Sequence, residues 1–451
     1  MSGGAGRGFA SAEAELVSFD GGTRCRQTLV RPDRYRHLEQ LGPKELRIVR
    51  GGGYSYAAAS FGAGATVQDV RAFDRILAFD GTRGILECEA GTTLGKLFRV
   101  CAPRGWFLPV QAGYPRITIG GCIAADVHGK NQFRDGNFSR QVESLRLFHP
   151  ARGVMTADRE SGAELLDLTC GGLGLSGHIL SARLRLARLP GRRVRVRRTR
   201  IPRLEDTMAL LEAAAAHATF LYTWQNLTLH GDTLGRGFLY AGEFLEDGEG
   251  ADAPESRVVA VDADTRAGLR LQLLNGGTTK AFNLAYEALQ AVAPDEREIG
   301  LHDLLFPVAR KVLYFRLFGG AGFHEMQVIV PRDAFATVAR ELRRRLSAEP
   351  FPVALASCKL FQGTPALLRF DGSGVCLALD FPRGPASGRF AAWVDALVRD
   401  VRGLPNIIKD SRLGMDTVRA CYPGYEAFSK ALHRLDPQRL YRSEVSERLA
   451  L

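Results

Sequence analysis

Along the first 190 or so residues, short apolar runs recur and break at glycine-rich turns. Examples are LRIVRGGG (46–53), GILECEAGTTLGKL (84–97), RITIGGCIAADVHG (116–129), SLRLFHP (144–150) and HILSARLRLARL (178–189). These read as β-like segments. Between them TLGKLFRVCAPRG (93–105) and SGAELLDLTCGG (161–172) carry helical spacing. From about residue 193 the texture changes. DTMALLEAAAAHATFLY (206–222) and RDAFATVARELRRRLSA (332–348) read as helices, and RGFLYAGEFL, HEMQVIVP and GVCLALDFP as strands. In RRVRVRRTR (192–200) arginine alternates with apolar residues, which predicts a strand with one charged face. The pattern predicts an α+β protein in two domains, divided as 1–192, 193–403 with an antiparallel sheet, and 404–451. The acidic stretch EDGEGADAPES (246–256) reads as a mobile loop, either a lid or a segment without function.

Composition narrows the class. Hydrophobic residues are 45% and charged residues 24% of 451, an ordinary soluble balance. The N-terminal residues lack a secretory h-region, and no run is long and apolar enough to span a bilayer. The eight cysteines are scattered without a C-x-x-C pair and apart from the histidines, which argues against zinc and for free thiols in a reducing cytoplasm. The net charge of +11 reads first as solvated arginine faces, next as attraction to an anionic membrane surface or a phosphate-bearing substrate. No nucleic-acid module accompanies it.

Glycine carries the strongest chemical signal. Gly51-Gly52-Gly53, Gly91, Gly120-Gly121 and GGLGLSG (171–177) punctuate the first region. The last holds a literal G-x-G-x-x-G, but a helical segment precedes it and a strand follows, the reverse of a Rossmann turn. Together the turns read either as tight turns alone, or as backbone segments lying against one phosphate-bearing dinucleotide such as FAD.

The motifs RGGGYSY (50–56) and GYPRITIGGCIAADVHGKN (113–131) resemble the two flavin loops of the vanillyl-alcohol-oxidase type of FAD enzymes. With LPVQAG, CKLF (358–361), LDFP (379–382), KDSR (409–412) and LDPQRLYRSEVSERL, the chain is similar within that family to the oxidative subunits of decaprenylphosphoryl-β-D-ribose 2′-epimerases. The resemblance implies an FAD-binding domain made by both chain ends and a middle substrate domain over the flavin ring. It implies cofactor contacts at Gly51, Gly52, Gly53, Tyr54, Ser55, Tyr56, Gly113, Gly120, Gly121, Cys122, Ala125, His128, Gly129, Asn131, Gly177, Ile179 and Lys409. Tyr54 and Tyr114 stand where relatives attach flavin through histidine and cysteine, so the FAD is expected to be non-covalent.

For catalysis, Lys409 matches the family lysine near flavin and substrate. His128 is a candidate proton acceptor or orienting group, and Tyr56 a second group for the substrate hydroxyl. Trp224, Gln327 and Lys359 fall where the family lines its substrate pocket. Ala378 replaces the family's pocket cysteine, with Cys376 two residues before it; Phe318 replaces a tyrosine and Glu325 a glutamine. The implied reaction oxidises a sugar secondary alcohol to a ketone, foremost the C2′ hydroxyl of a polyprenylphosphoryl-β-D-ribose, as the first half of epimerisation to the arabinose form. A separate short-chain NAD(P)-dependent reductase would complete it, with the enzyme cytoplasmic or peripheral at the inner face of the plasma membrane. Two alternatives stand beside this: an FAD enzyme of a soluble alditol, aldonolactone or other sugar, and a flavin-free protein binding anionic lipid.

Overall fold

The computed structural model describes residues 9–245, 270–310 and 312–451. The 246–256 loop lies outside the described residues.

Residues before 190 form two main sheets. One has four strands in the order Ala10–Val17, Arg24–Arg31, Thr66–Asp69 and Arg47–Arg50. Its first pair is antiparallel, and Thr66–Asp69 runs parallel to both of its neighbours. The other is a five-stranded antiparallel sheet, Ile76–Asp80, Ile85–Glu89, His178–Arg185, Val142–His149 and Gly153–Asp158. The larger eight-stranded antiparallel sheet uses only residues from 193 to 405, with Phe323–Val330, Leu355–Phe361 and Gly374–Pro382 side by side. The fold is therefore mixed α and β with several antiparallel sheets.

Two of those three strands are buried throughout, so period-two alternation separates chemistry rather than exposure. On one face Met326, Val328, Leu377 and Leu379 pack against the helices Phe335–Ala348 and Pro385–Asp400. On the other, ladder pairing puts Gln327 opposite Ala378, Glu325 opposite Asp380, and Lys359 opposite Cys376. Polar groups thus converge on a single face.

Residues after 405 return to the strand that carries the triple glycine. Arg47 N–H donates to Leu440 O at 2.8 Å, Arg442 N–H to Arg47 O at 3.0 Å, and Glu444 N–H to Phe61 O at 2.9 Å.

Two sequence expectations need correction. RITIGGCIAADVHG is not a strand: Ile119–Ala124 is a short helix, because Thr118 Oγ1 accepts the Gly121 N–H at 3.3 Å and caps it. The helix predicted over 206–222 stops at Ala215, and Phe220–Asn226 is a strand whose residues pack in the sheet. The arginine strand does form, yet its charged face is not bare. Arg193, Arg195 and Arg197 pair with Glu296 and Glu298 of the neighbouring strand, and Arg197 also with Glu243. Arg343, Arg344 and Arg345 are likewise paired, with Glu205, Glu341 and Glu349. Among the described residues no helix is long and apolar enough to cross a membrane.

Candidate active site

One cavity, enclosing about 1600 Å³ of atom-free space with its open mouth, runs between the glycine turns and the polar sheet face. Gly51 through Tyr56 form one wall, and Gly113, Tyr114, Thr118, Gly120, Gly121 and Ala125 another; Gly174, Gly177 and Ile179 also contribute.

The triple glycine is forced by neighbouring protein. A Cβ on Gly51 would lie 2.2 Å from Thr118 Oγ1, and one on Gly52 would lie 2.8 Å from Arg116 O. At Gly53 φ is +71°, and the Arg50 guanidinium fills the space a Cβ would take. The two flavin-type loops therefore touch through missing side chains. Gly52, Ser55 and Tyr56, all lining the cavity, have main-chain N–H groups without a hydrogen-bond partner among the described residues. Unpaired amides in a glycine-built cradle suit the pyrophosphate of FAD, so the residues present fit that cofactor.

At the other end the sheet supplies side chains. Lys409 Nζ lies 3.1 Å from Glu325 Oε1 and 3.7 Å from the centre of the Tyr56 ring. Gln327 Nε2 donates to Glu325 Oε1 at 2.5 Å, and its Oε1 accepts from Asn406 Nδ2 at 3.1 Å. His128 Nε2 sits 3.2 Å from Gln327 Oε1, and Nδ1 3.3 Å from Gly129 O. Two acceptors face one imidazole, and a neutral ring can donate to only one of them. Tyr314 donates to Asp380 Oδ2 at 3.0 Å, while Asp380 Oδ1 is buried without a partner among the described residues.

Electrostatics sets the protonation states. Burial, followed by the Lys359 charge, pushes His128 down to about 3, so it is neutral and a much weaker base than free imidazole. Burial, then the Glu325 and Asp380 charges, raises Tyr56, which stays a phenol. Burial and the adjacent Glu325 hold Asp380 well above the usual carboxylate range. Lys359 is lowered by burial.

The three candidate catalytic residues, Lys409, His128 and Tyr56, all line the cavity, as do Gln327 and Lys359. Several expected contacts do not. Cys122 is fully buried on the far side of its helix, within the apolar core. Asn131 is turned to Pro109 O and Asp135, and Gly129 packs against the Asn131 side chain, so both shape the loop. Trp224 is covered by Tyr286, with ring centres 4.6 Å apart, and Phe318 stacks on Phe323 in the aromatic cluster that also holds the cavity-lining Phe19 and Tyr56, without lining the cavity itself. Glu325, Cys376 and Ala378 share the polar face but stand behind its cavity-lining residues. Within KDSR only Lys409 enters the cavity: Asp410 and Arg412 bond each other, and Ser411 donates to Asp20 at 2.5 Å.

Sequence reasoning missed Thr118, Asn406 and the Asp380–Tyr314 pair. Thr118 carried a signal as a threonine directly before a short apolar-glycine run, and Asn406 stands three residues before Lys409. Nothing in the sequence ties Tyr314 to Asp380.

Residues 44–157 match the FAD binding domain family. Over 414 residues the chain is 26% identical to decaprenylphosphoryl-β-D-ribose oxidase of Mycolicibacterium smegmatis, covering 90% of this chain and 89% of that protein. It is 29% identical to an uncharacterized protein in the mprA 5′ region of Streptomyces coelicolor, covering 80% of this chain and 100% of the other. A shorter match, 27% over 32% of this chain and 28% of the relative, is to cytokinin dehydrogenase 7 of Oryza sativa subsp. japonica. The glycine cradle and these matches agree: the chain carries an FAD binding domain and is an FAD-dependent oxidoreductase similar over most of its length to decaprenylphosphoryl-β-D-ribose oxidase.

Proposed function

We propose that this protein oxidises the C2′ hydroxyl of a polyprenylphosphoryl-β-D-ribose to the ketone, the first half of epimerisation to the arabinose form. The observation that carries this reading is the end-to-end similarity to an oxidase of that substrate, 90% of one chain against 89% of the other. In it, residues 1–192 and 404–451 hold the cofactor, and 193–403 cover the reacting end. FAD, when bound, supplies the hydride acceptor.

The chain's own groups do the rest. The unpaired amides of Gly52, Ser55 and Tyr56 hold the pyrophosphate, and Tyr54 and Tyr114, without the imidazole and thiol of the usual linkages, leave the flavin non-covalent. Neutral His128 and Gln327 orient the sugar hydroxyl, the orienting one of the two roles expected for His128. Lys359 and Lys409 bring positive charge to the phosphate and to the flavin end. A short-chain reductase acts as pathway partner, and the enzyme works peripherally at the inner face of the plasma membrane, where the lipid is presented.

Anaerobic mixing of the yellow holoprotein with polyprenylphosphoryl ribose in detergent micelles tests the reading. Bleaching of the flavin by this lipid, and not by free alditols or aldonolactones, is the expected result. Bleaching by the soluble sugars alone would replace the substrate, a reading that Phe318, Glu325 and Ala378 favour because each alters the polar pattern beside the pocket.

A further inference from the structure

A surface helix ordinarily turns its apolar side chains to the protein and its polar ones to water. The helix Gly276–Val292 does the reverse. Asn275 caps it, accepting from the Gly277 and Thr278 N–H groups, and alanine and leucine sustain it. The row it turns inward is Thr279, Asn283, Glu287 and Gln290, with Tyr286 at its edge against Trp224. Asn283 Nδ2 donates to Val353 O at 3.0 Å, Asn226 Nδ2 to Glu287 Oε2 at 3.3 Å, and Tyr240 Oη to Gln290 Oε1 at 2.9 Å; Arg236 also pairs with Glu287. Phe282, Leu284, Leu289 and Val292 are left outside, Leu289 66% and Val292 84% exposed. Among the described residues ten large hydrophobic side chains are exposed, and eight of them fall between 271 and 313. Scattered singly, such residues need no explanation; gathered together they mark a contact surface.

Exposed Leu271, Leu273 and Leu313 extend this surface towards the site. Leu271 N–H donates to Arg316 O at 3.1 Å and Leu273 N–H to Leu317 O at 2.9 Å, so the two stretches run side by side. Their neighbours Leu274 and Tyr314 turn inward, to the aromatic cluster that holds Phe19 and Tyr56, both of which line the cavity. One cluster therefore supports the outer leucines and walls the site. Charge selects the partner. From 271 to 293 the chain has only Glu287, held by Arg236, and Lys280, which is exposed. Just beyond, Asp295 pairs with Arg198, and Glu296 and Glu298 with Arg195. The outward face offers apolar groups and one cation, on a chain of net charge +11.

We propose that this face seats the enzyme on an anionic lipid bilayer, with Gly276–Val292 lying in the plane of the membrane interface. The proposal rests on the functional reading above for its purpose, access to a lipid-linked substrate, and goes beyond it in naming the surface. The bonded polar row fixes the helix to the sheet beneath, so it lies on the membrane and does not cross it. Its apolar side chains enter the boundary between headgroups and acyl chains, and Lys280 meets the anionic headgroups. A protein partner suits the face less well. Protein interfaces are anchored by tryptophan, tyrosine and arginine and use leucine and valine sparingly, whereas leucine and valine lead here.

The test needs no sugar lipid. Yellow holoprotein is floated with vesicles of phosphatidylcholine and phosphatidylglycerol, as wild type, as Leu289→Ser with Val292→Ser, and as Leu77→Ser, an exposed leucine on the strand Ile76–Asp80 outside this surface. Wild type is expected to float and to keep floating in high salt, which screens charges but not apolar contact. The double variant should bind about a hundredfold more weakly, roughly tenfold for each side chain, with its flavin absorbance unchanged. Leu77→Ser should match wild type. Wild type that stays at the bottom of the gradient, a double variant that floats equally well, or flotation abolished by salt overturns the proposal. So does a wild-type dimer in analytical ultracentrifugation that the double variant dissolves, which would give the face to a second copy. Bleaching of the flavin by ribose lipid in micelles involves no bilayer, so its failure counts only against the substrate and leaves the vesicle result standing.

Discussion

The contact between Gly51 and Thr118 can be put to a quantitative test. Replacing Gly51 by alanine places a methyl group 2.2 Å from Thr118 Oγ1 and 3.2 Å from both Thr118 Cβ and Cγ2. Such overpacking costs about 1–3 kcal/mol. Removing a glycine returns about 0.4–1 kcal/mol through the unfolded chain, so the clash wins and Gly51→Ala is destabilised by about 1–2 kcal/mol. Thr118→Ala alone loses the helix cap, about 1 kcal/mol. In the double variant the offending oxygen is gone, so the costs do not add. The pair should be only about 1 kcal/mol below wild type, a coupling of about 1–2 kcal/mol. Urea unfolding of the four apoproteins reads this directly, and flavin titration reads cofactor affinity separately. Additive losses, or an apoprotein untouched by Gly51→Ala while FAD affinity collapses, would mean the glycine serves the ligand alone and the loop contact carries no weight.

Four other outcomes are expected. Unfolding in denaturant followed by filtration should leave all flavin in the filtrate, because Tyr54 and Tyr114 stand in place of the histidine and cysteine that form the usual linkages; yellow colour on the protein would contradict this. His178 and His324, both buried and pushed to about 3, bind a proton more readily when unfolded, so stability is full above about pH 6.5 and falls as pH drops towards 3. Each costs up to about 2 kcal/mol at pH 5, visible as a lower urea midpoint that His178→Phe partly restores. Lys409→Met strands the Glu325 carboxylate and should cost about 2 kcal/mol, reduced from the fully buried case because the lysine is a quarter exposed; adding Glu325→Gln should recover most of it in thermal melts. Native alkylation followed by mass spectrometry should label Cys25 first, since the other seven thiols are buried and burial lifts Cys376 to about 12.

The strands, the arginine alternation and both loop motifs were legible because each is a local pattern. RGGGYSY and HGKN mark backbone that must come close to something, and alternation with period two locates a sheet face without knowing its neighbours. What stayed hidden is non-local. Whether Gly51 makes room for flavin or for Thr118 depends on a contact 67 positions along the chain. The pairing of Arg193, Arg195 and Arg197 with glutamates about 100 residues away turns an apparent basic patch into a cross-strand ladder. The helix at Ile119–Ala124 was misread because its apolar and glycine residues suit a strand equally, and only the threonine cap separates the two. Trp224 was expected at the pocket because it falls where the resembled family lines its own, yet here the Tyr286 ring packs against it.

The division of labour across the strands Phe323–Val330, Leu355–Phe361 and Gly374–Pro382 has an evolutionary reading. Positions 325, 327, 359, 376, 378 and 380 lie on one side of the pleat, while the residues anchoring the helices lie on the other. Mutations at the former can therefore retune which alcohol is accepted while the scaffold's anchorage stays intact. A library confined to those alternate positions should give a high proportion of folded, yellow variants, making this sheet a natural starting point for diversifying the reaction.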